Sequence, residues 1–244
     1  LDRLREHANT SFSPARHPVR SLILVPTREL AVQVDEAIRT YGRSVPLRSS
    51  VVYGGVPIEP QTKVLLAGVE ILVATPGRLL DHVQQRTVNL GQVSILVLDE
   101  ADRMLDMGFL PDIRRILGRL PAERQTLLFS ATLPAPIVAL AREMLAQPVS
   151  LNIARAAVPA TGITHTVYPV GQTGKAALLL HLLRGDELGS VVAFTRTKHR
   201  ANRLADYLVR NGVACARIHG NRTQGQRTAA LSGFKRGEYQ VLVA

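Results

Sequence analysis

The sequence predicts an α/β protein made of two parallel-sheet domains in tandem, and three observations carry that expectation. Short apolar runs recur, each followed by a polar junction and then a segment of helical period, the alternation expected of a parallel sheet with covering helices. That alternation lapses over the Ala-rich, aperiodic stretch 154–162, which holds Pro159 and Gly162, and then resumes. The lapse divides the chain into domains at 1–153 and 163–244 joined by a linker. Finally, the run Ser94-Ile95-Leu96-Val97-Leu98 ends abruptly in Asp99-Glu100. It reads as a strand buried on both faces, with its acids at the carboxyl end, where ligands bind in open α/β sheets.

Taken in order, residues 1–8 read as the tail of an amphipathic helix and the polar, Pro-punctuated stretch 9–18 as a surface loop. Strand 21–25 turns at Pro26-Thr27-Arg28 into a helix reaching about residue 41. Pro and Thr suit a first helical turn, whose free N–H groups and positive dipole end accept a phosphate. Arg28 would add a charge-assisted contact, or pair with a nearby acid. Strand 50–53 runs into Gly54-Gly55, glycines that serve a close backbone approach or simply a turn. Strand 71–74 meets a helix start at Thr75-Pro76-Gly77-Arg78. After the acid-tipped strand, 104–120 is helical with a break marked by Gly108 and Pro111. Buried strand 125–129 closes in Ser130-Ala131-Thr132, whose hydroxyls can reach a carboxylate on the neighbouring strand, Asp102 first, or merely cap the helix at 136–146. Strand 149–153 completes this domain. The second domain reads as strands 163–170, 190–194, 213–218 and 239–243 alternating with helices 175–183, 199–210 and 224–236.

Composition bounds the partners. Lys and Arg number 30 against 19 Asp and Glu, a formal charge of +11, which calls for a polyanion such as a nucleic acid backbone or else a solvated basic surface. Aromatic residues make up 4% with no Trp, so phosphate contacts outweigh base stacking. The lone Cys215 excludes an internal disulfide and a thiolate metal cluster, and its apolar setting makes it an inert buried thiol. No run is long enough to span a membrane and no signal-peptide pattern opens the chain, so a cytoplasmic, reducing setting is expected.

Asp99 and Glu100 suit a hydrated magnesium ion and an activated water, Asp99 holding the metal, through water, and Glu100 orienting or deprotonating the nucleophile, or else they merely end the strand and cap the following helix. The tetrapeptide Asp99-Glu100-Ala101-Asp102 spells the hallmark of the DEAD-box ATP-dependent RNA helicases, which this chain resembles. The other motifs of that family follow in order. PTRELA from Pro26 resembles motif Ia, Gly54-Gly55 the GG motif, Thr75-Pro76-Gly77-Arg78 motif Ib, and Ser130-Ala131-Thr132 motif III, which links nucleotide state to domain closure. Phe194-Thr195-Arg196-Thr197 resembles motif IV. His219-Gly220 with Gln224 and Arg227 resembles the segment before motif V, which the family uses around RNA and the domain interface.

The resemblance implies two RecA-like domains, ATP and Mg²⁺ as ligands, and RNA held without sequence preference. Catalysis falls to Asp99, Glu100, Asp102, Ser130 and Thr132. RNA contacts fall to Pro26, Thr27, Arg28, Gly54, Gly55, Thr75, Pro76, Gly77, Arg78, Thr195, Arg196, Gly220, Gln224 and Arg227. It names no protein partner and no membrane.

Wording such as HANTSFSPARHPVR is most similar to the bacterial RhlE-like subgroup. Gly174-Lys175 does not make a Walker A loop, because Pro169 and Ala176 stand where a glycine and a hydroxyl are required. The Q motif, Walker A and motif VI of the family are not matched. On this reading both domains are incomplete, and the chain is an internal fragment expected to be inactive and to aggregate or melt without cooperativity when expressed alone. A non-catalytic RNA-binding module is the alternative, and a metal-dependent nuclease a third reading that lacks a second acidic cluster.

Overall fold

The computed structural model describes residues 1–6, 8, 10–152, 162–185 and 188–244. Two units make up the chain, Leu1–Asn152 and Ile153–Ala244. The predicted linker 154–162 falls, apart from Gly162, outside the described residues.

Unit 1 opens with a short helix α1 (Asp2–Arg5) and reaches β1 (Ser21–Leu24) through a 3-10 turn at Pro14–Arg16. There follow α2 (Arg28–Gly42), β2 (Ser49–Val52), α3 (Glu59–Leu66), β3 (Ile71–Ala74), α4 (Pro76–Gln84), β4 (Ile95–Leu98), α5 (Ala101–Asp106), α6 (Leu110–Leu117), β5 (Gln125–Leu128) and α7 (Ala135–Met144). The five strands form one sheet in the order β2-β3-β1-β4-β5, every neighbouring pair parallel. Parallel pairing requires a crossover between strands, and the helices supply it. Side chains alternate across the sheet, so Leu22, Leu24, Leu72, Leu96 and Leu98 enter one core with Leu79, Met104, Ile113, Ile116, Ile137 and Leu140 from the helices. On the other face Ile23, Val25, Val51 and Val73 meet Ala31, Leu30, Val34 and Ile38 of α2.

Unit 2 contains α8 (Lys175–Leu183), β6 (Val191–Ala193), α9 (Lys198–Arg210), β7 (Cys215–Arg217), α10 (Gln224–Lys235) and β8 (Val241–Val243). Its sheet is also parallel, in the order β6-β8-β7. Val241 and Val243 pack with Leu180 and Leu183 of α8 and with Ala201, Ala205 and Leu208 of α9.

Several expectations need correction. Residues 149–152 and 163–170 form no strand; Val149, Leu151 and Val167 are each more than 80% exposed. A run with strand-like side chains needs a neighbouring backbone to take its hydrogen bonds, and none lies alongside these segments among the described residues. The acid-tipped strand is not buried on both faces. β4 alternates between buried and half-buried positions, and it is β3 that is buried throughout. β5, expected to be buried, lies at the sheet edge and is half-exposed. Stretch 9–18 is not wholly a surface loop either, because His17 is 2% exposed. Helix α3 was not anticipated; its weak amphipathicity carries little periodic signal.

Candidate active site and nucleic-acid interface

Because all five strands of unit 1 run the same way, the loops after β1, β2, β3, β4 and β5 leave one edge of the sheet. Asp99 and Glu100 therefore share a rim with Thr75 and Ser130. At the tip of β4 the ladder continues one residue further, with Asp99 N donating to Leu24 O at 3.0 Å. The Asp99 carboxylate accepts the Glu100 amide through Oδ1 at 2.9 Å. Glu100 then turns the chain with φ 51, in the left-handed region, and α5 begins at the next residue. A non-glycine residue there costs about 1–2 kcal/mol, so the chain carries strain at the residue that would do chemistry. Neither acid is sealed in a packed interior; both are half-exposed.

The tips of β4 and β5 are tied together. Ala101 N donates to Phe129 O at 3.0 Å and Asp102 N to Ser130 Oγ at 3.1 Å. Ser130 Oγ in turn donates to Thr132 O at 2.6 Å. Both the amide and the hydroxyl of Thr132 donate to Asp102 Oδ2, at 2.8 and 2.7 Å. The Thr132 hydroxyl is the main cause holding the Asp102 carboxyl below the ordinary aspartate value, against a smaller desolvation effect in the other direction. A depressed folded-state value means that this carboxylate supports the fold above the unfolded aspartate value and loses that support as pH falls through the folded one. In a Thr132→Val variant the Asp102 carboxyl is therefore expected to titrate at higher pH, nearer an unperturbed aspartate, as read by carboxyl-carbon NMR. An unmoved titration would mean that the Thr132 hydroxyl does not hold the carboxylate.

On the β1–β3 side of the rim, Thr27 Oγ1 accepts Leu30 N at 3.3 Å and so caps α2. The Arg28 guanidinium lies where a side chain at position 55 would begin, so only glycine lets the two loops meet there. Gly55 also has φ 75, a second reason for glycine. Arg78 Nη2 donates to Val56 O at 3.0 Å, so arginines from two helix starts bracket the Gly54–Gly55 turn. Pro26, Thr75 and Pro76 are buried, leaving Thr27, Arg28, Gly54, Gly55, Gly77 and Arg78 as the accessible part of the expected set. Sequence reasoning missed Gln61, on α3. Its Oε1 accepts Tyr53 N at 3.0 Å and its Nε2 donates to Tyr53 O at 3.2 Å, holding the glycine turn.

In unit 2 the loops after β6 and β7 also leave one edge, because both strands run parallel to β8. Thr195 is tied back, its amide donating to Ala244 O at 2.8 Å and its hydroxyl donating at 3.1 Å, while Arg196 is exposed. Gln224 and Arg227 share the first turn of α10, with Arg227 Nη1 donating to Gln224 Oε1 at 3.4 Å, and an added Cβ at Gly220 would meet no neighbour. Nearby His219 is held below the ordinary histidine value by desolvation and then by Arg222, Arg217, Lys198 and His199, so this edge is electropositive.

Among the described residues no three acids, histidines or cysteines gather as a metal cage. Asp99 and Glu100 by themselves fit a hydrated magnesium ion, which keeps several waters and takes one or two carboxylates beside substrate phosphates. Cys215 is half-buried, and burial pushes its thiol up to about 11, which makes it unreactive.

Comparison with known proteins agrees over nearly the whole chain. Residues 4–140 match the DEAD/DEAH box helicase family and 174–244 the helicase conserved C-terminal domain. The ATP-dependent RNA helicase DbpA of Bacillus subtilis (strain 168) is 42% identical over 92% of this chain and 47% of its own length. The DEAD-box ATP-dependent RNA helicase CshA of the same organism is 40% identical over 96% of this chain and 47% of its own. The solved structure of S. cerevisiae Dbp5 bound to RNA and ADP BeF3 superposes with a TM-score of 0.79 at 26% identity, covering 94% of this chain and 58% of that one. The chain thus spans about half the length of the curated relatives it matches.

Proposed function

The chain belongs to the DEAD/DEAH box helicase family, and on that premise we propose that the protein of which it is part hydrolyses ATP to remodel short RNA duplexes. The observation that carries this reading is the single rim of unit 1, which carries an acid pair with Glu100 in the left-handed region and, on the far side of β1 and β3, an arginine-bracketed glycine turn. Asp99 would hold a hydrated Mg²⁺, which would supply neutralisation of phosphate charge, and Glu100 would orient the attacking water or take its proton. Asp102, Ser130 and Thr132 bind the tips of β4 and β5 into one piece, so that a change at the nucleotide is felt at the neighbouring loop. Thr27, Arg28, Gly54, Gly55, Gly77 and Arg78 grip a ribose-phosphate backbone, with Thr195, Arg196, Gly220, Gln224 and Arg227 doing so in unit 2. Pro26, Thr75 and Pro76 act from beneath, shaping the loops.

Contacts of this kind bind RNA irrespective of its bases. Coupling is reciprocal, so RNA raises ATP affinity by the factor with which ATP raises RNA affinity. The similarity to the RhlE-like subgroup and a cytoplasmic setting belong to the same proposal. So does the placement of the Q motif, the phosphate loop and motif VI in sequence outside these 244 residues, which the half-length coverage of the relatives supports.

The test is ATP turnover of the intact protein with and without single-stranded RNA, together with the salt dependence of RNA binding. RNA-stimulated turnover is expected. An Arg28→Gln variant should weaken binding alike for all sequences and lower the slope of log K against log salt by about 0.7. RNA binding without any ATP turnover would favour a non-catalytic clamp instead.

A further inference from the structure

We propose that unit 1 carries a second recognition site, a cleft between the C-terminal ends of α4 and α6 that takes an acidic peptide segment with interspersed apolar side chains. The cleft has a volume of about 560 Å³. Leu80 and Val83 line it while also packing against the core, and Arg86, Arg114, Arg115 and Arg119 surround it. Its size lies within the range of built ligand pockets.

Basic residues at helix C-termini ordinarily answer the dipole, and two of these four have local work. Arg114 grips Glu143 with two hydrogen bonds, at 3.0 and 2.7 Å, and Arg115 lies 3.5 Å from Asp112. Neither Arg86 nor Arg119 has a carboxylate partner among the described residues. Arg86 also sits in the turn after α4 with φ 55, where glycine is the relaxed choice. An arginine held there against backbone preference delivers a guanidinium to the cleft that the turn itself does not need.

Two features select the occupant. The apolar floor suits leucine-like side chains, which a nucleic acid backbone lacks, while the guanidinium groups suit carboxylates with fork geometry. Position agrees. α4 starts on the motif-bearing rim, and the cleft takes its lining from Leu80, about 6 Å along the helix, to Arg86 beyond its C-terminus. A peptide there leaves the loops of that rim uncovered, so the site recruits a partner protein without competing for RNA. This inference does not depend on the ATPase reading.

Fluorescence anisotropy with the intact protein decides it, using a labelled peptide of alternating Glu and Leu and, separately, labelled oligouridine. The double variant Arg86→Glu/Arg119→Glu is expected to weaken peptide binding roughly 10- to 100-fold, as loss of two charge-assisted contacts would. Oligouridine affinity should hold within about twofold. Reversal of the exposed Arg43 by Arg43→Glu should leave peptide binding within the same margin. A peptide with Ser in place of Leu should bind weakly to every form. Equal loss with Arg43→Glu would reduce the site to diffuse charge, and a parallel fall in oligouridine affinity would make its occupant nucleic acid; either result overturns the proposal, as does no peptide binding to the unaltered protein.

Discussion

A Glu100→Gln variant of the intact protein is expected to lose ATP turnover by roughly 10²–10⁴-fold, the range over which a positioned general base contributes. RNA affinity should be retained, because Glu100 stands at the tip of β4 while the glycine turn follows β2, with β3 and β1 between them, and its bracketing arginines come from α2 and α4. The amide is nearly isosteric, and the ion pair it removes among the described residues, with Arg103 at 3.2 Å, is an exposed one of small value. The backbone supplies a second variant that separates chemistry from folding. With φ 51 at this position, Glu100→Gly removes the carboxylate and relieves left-handed strain, at some cost in unfolded-chain entropy. Its melting temperature should hold or rise slightly while turnover falls as far as in the Gln variant. Unchanged turnover in either variant would remove Glu100 from the mechanism.

The second large effect lies at the other end of the sheet. Glu70, fully buried ahead of β3, receives His17 Nδ1 at 2.6 Å and Arg48 N at 2.7 Å through its two carboxylate oxygens. Its backbone carbonyl accepts Arg20 N and Ser21 N, each at 2.9 Å, so it locks the lead into β1 against β3. The other ring nitrogen of His17 lies 2.6 Å from Ser11 O. Both ring nitrogens therefore sit at hydrogen-bond distance from oxygens. Glu70→Ala leaves a buried ring nitrogen of His17 and the part-buried Arg48 amide without this partner, each costing about 1–3 kcal/mol. For a chain of this size that corresponds to a fall in melting temperature on the order of 10 °C by calorimetry. The paired variant His17→Leu/Glu70→Leu should recover much of the loss, since replacing both partners by apolar groups of similar volume leaves no polar side chain stranded between them. If Glu70→Ala melts within about 2 °C of the parent, the network is not a stability centre.

How far the chain can be read from its letters differs from element to element. β3 and α8 fall where their patterns predict, and the break between α5 and α6 spans 107–109, at the expected Gly108, with Pro111 in the first turn of α6. Each is local: an apolar run, a cap, a helix breaker. The meeting of Asp102 with Ser130 and Thr132 was within reach too, because adjacent parallel strands put their carboxyl-end loops together. The Arg28–Gly55 contact was not, since it depends on how α2 and the β2 loop are aimed. Nor was the role of Gln61, on a helix with little periodic signal.

By itself the sequence determined the parallel α/β class, the order of the strands and helices apart from α3 and the two unformed strands, and the sharing of one rim by the acid pair and the glycine turn. Those follow from side-chain period and chain direction, which are properties of short segments. Tertiary structure alone decided that 149–152 and 163–170 stay unpaired, that Glu70 finds His17 fifty-three positions away, and that four arginines surround one cleft. A ladder hydrogen bond, a buried charge and a pocket each need a second partner in space, and no local pattern specifies where that partner will be.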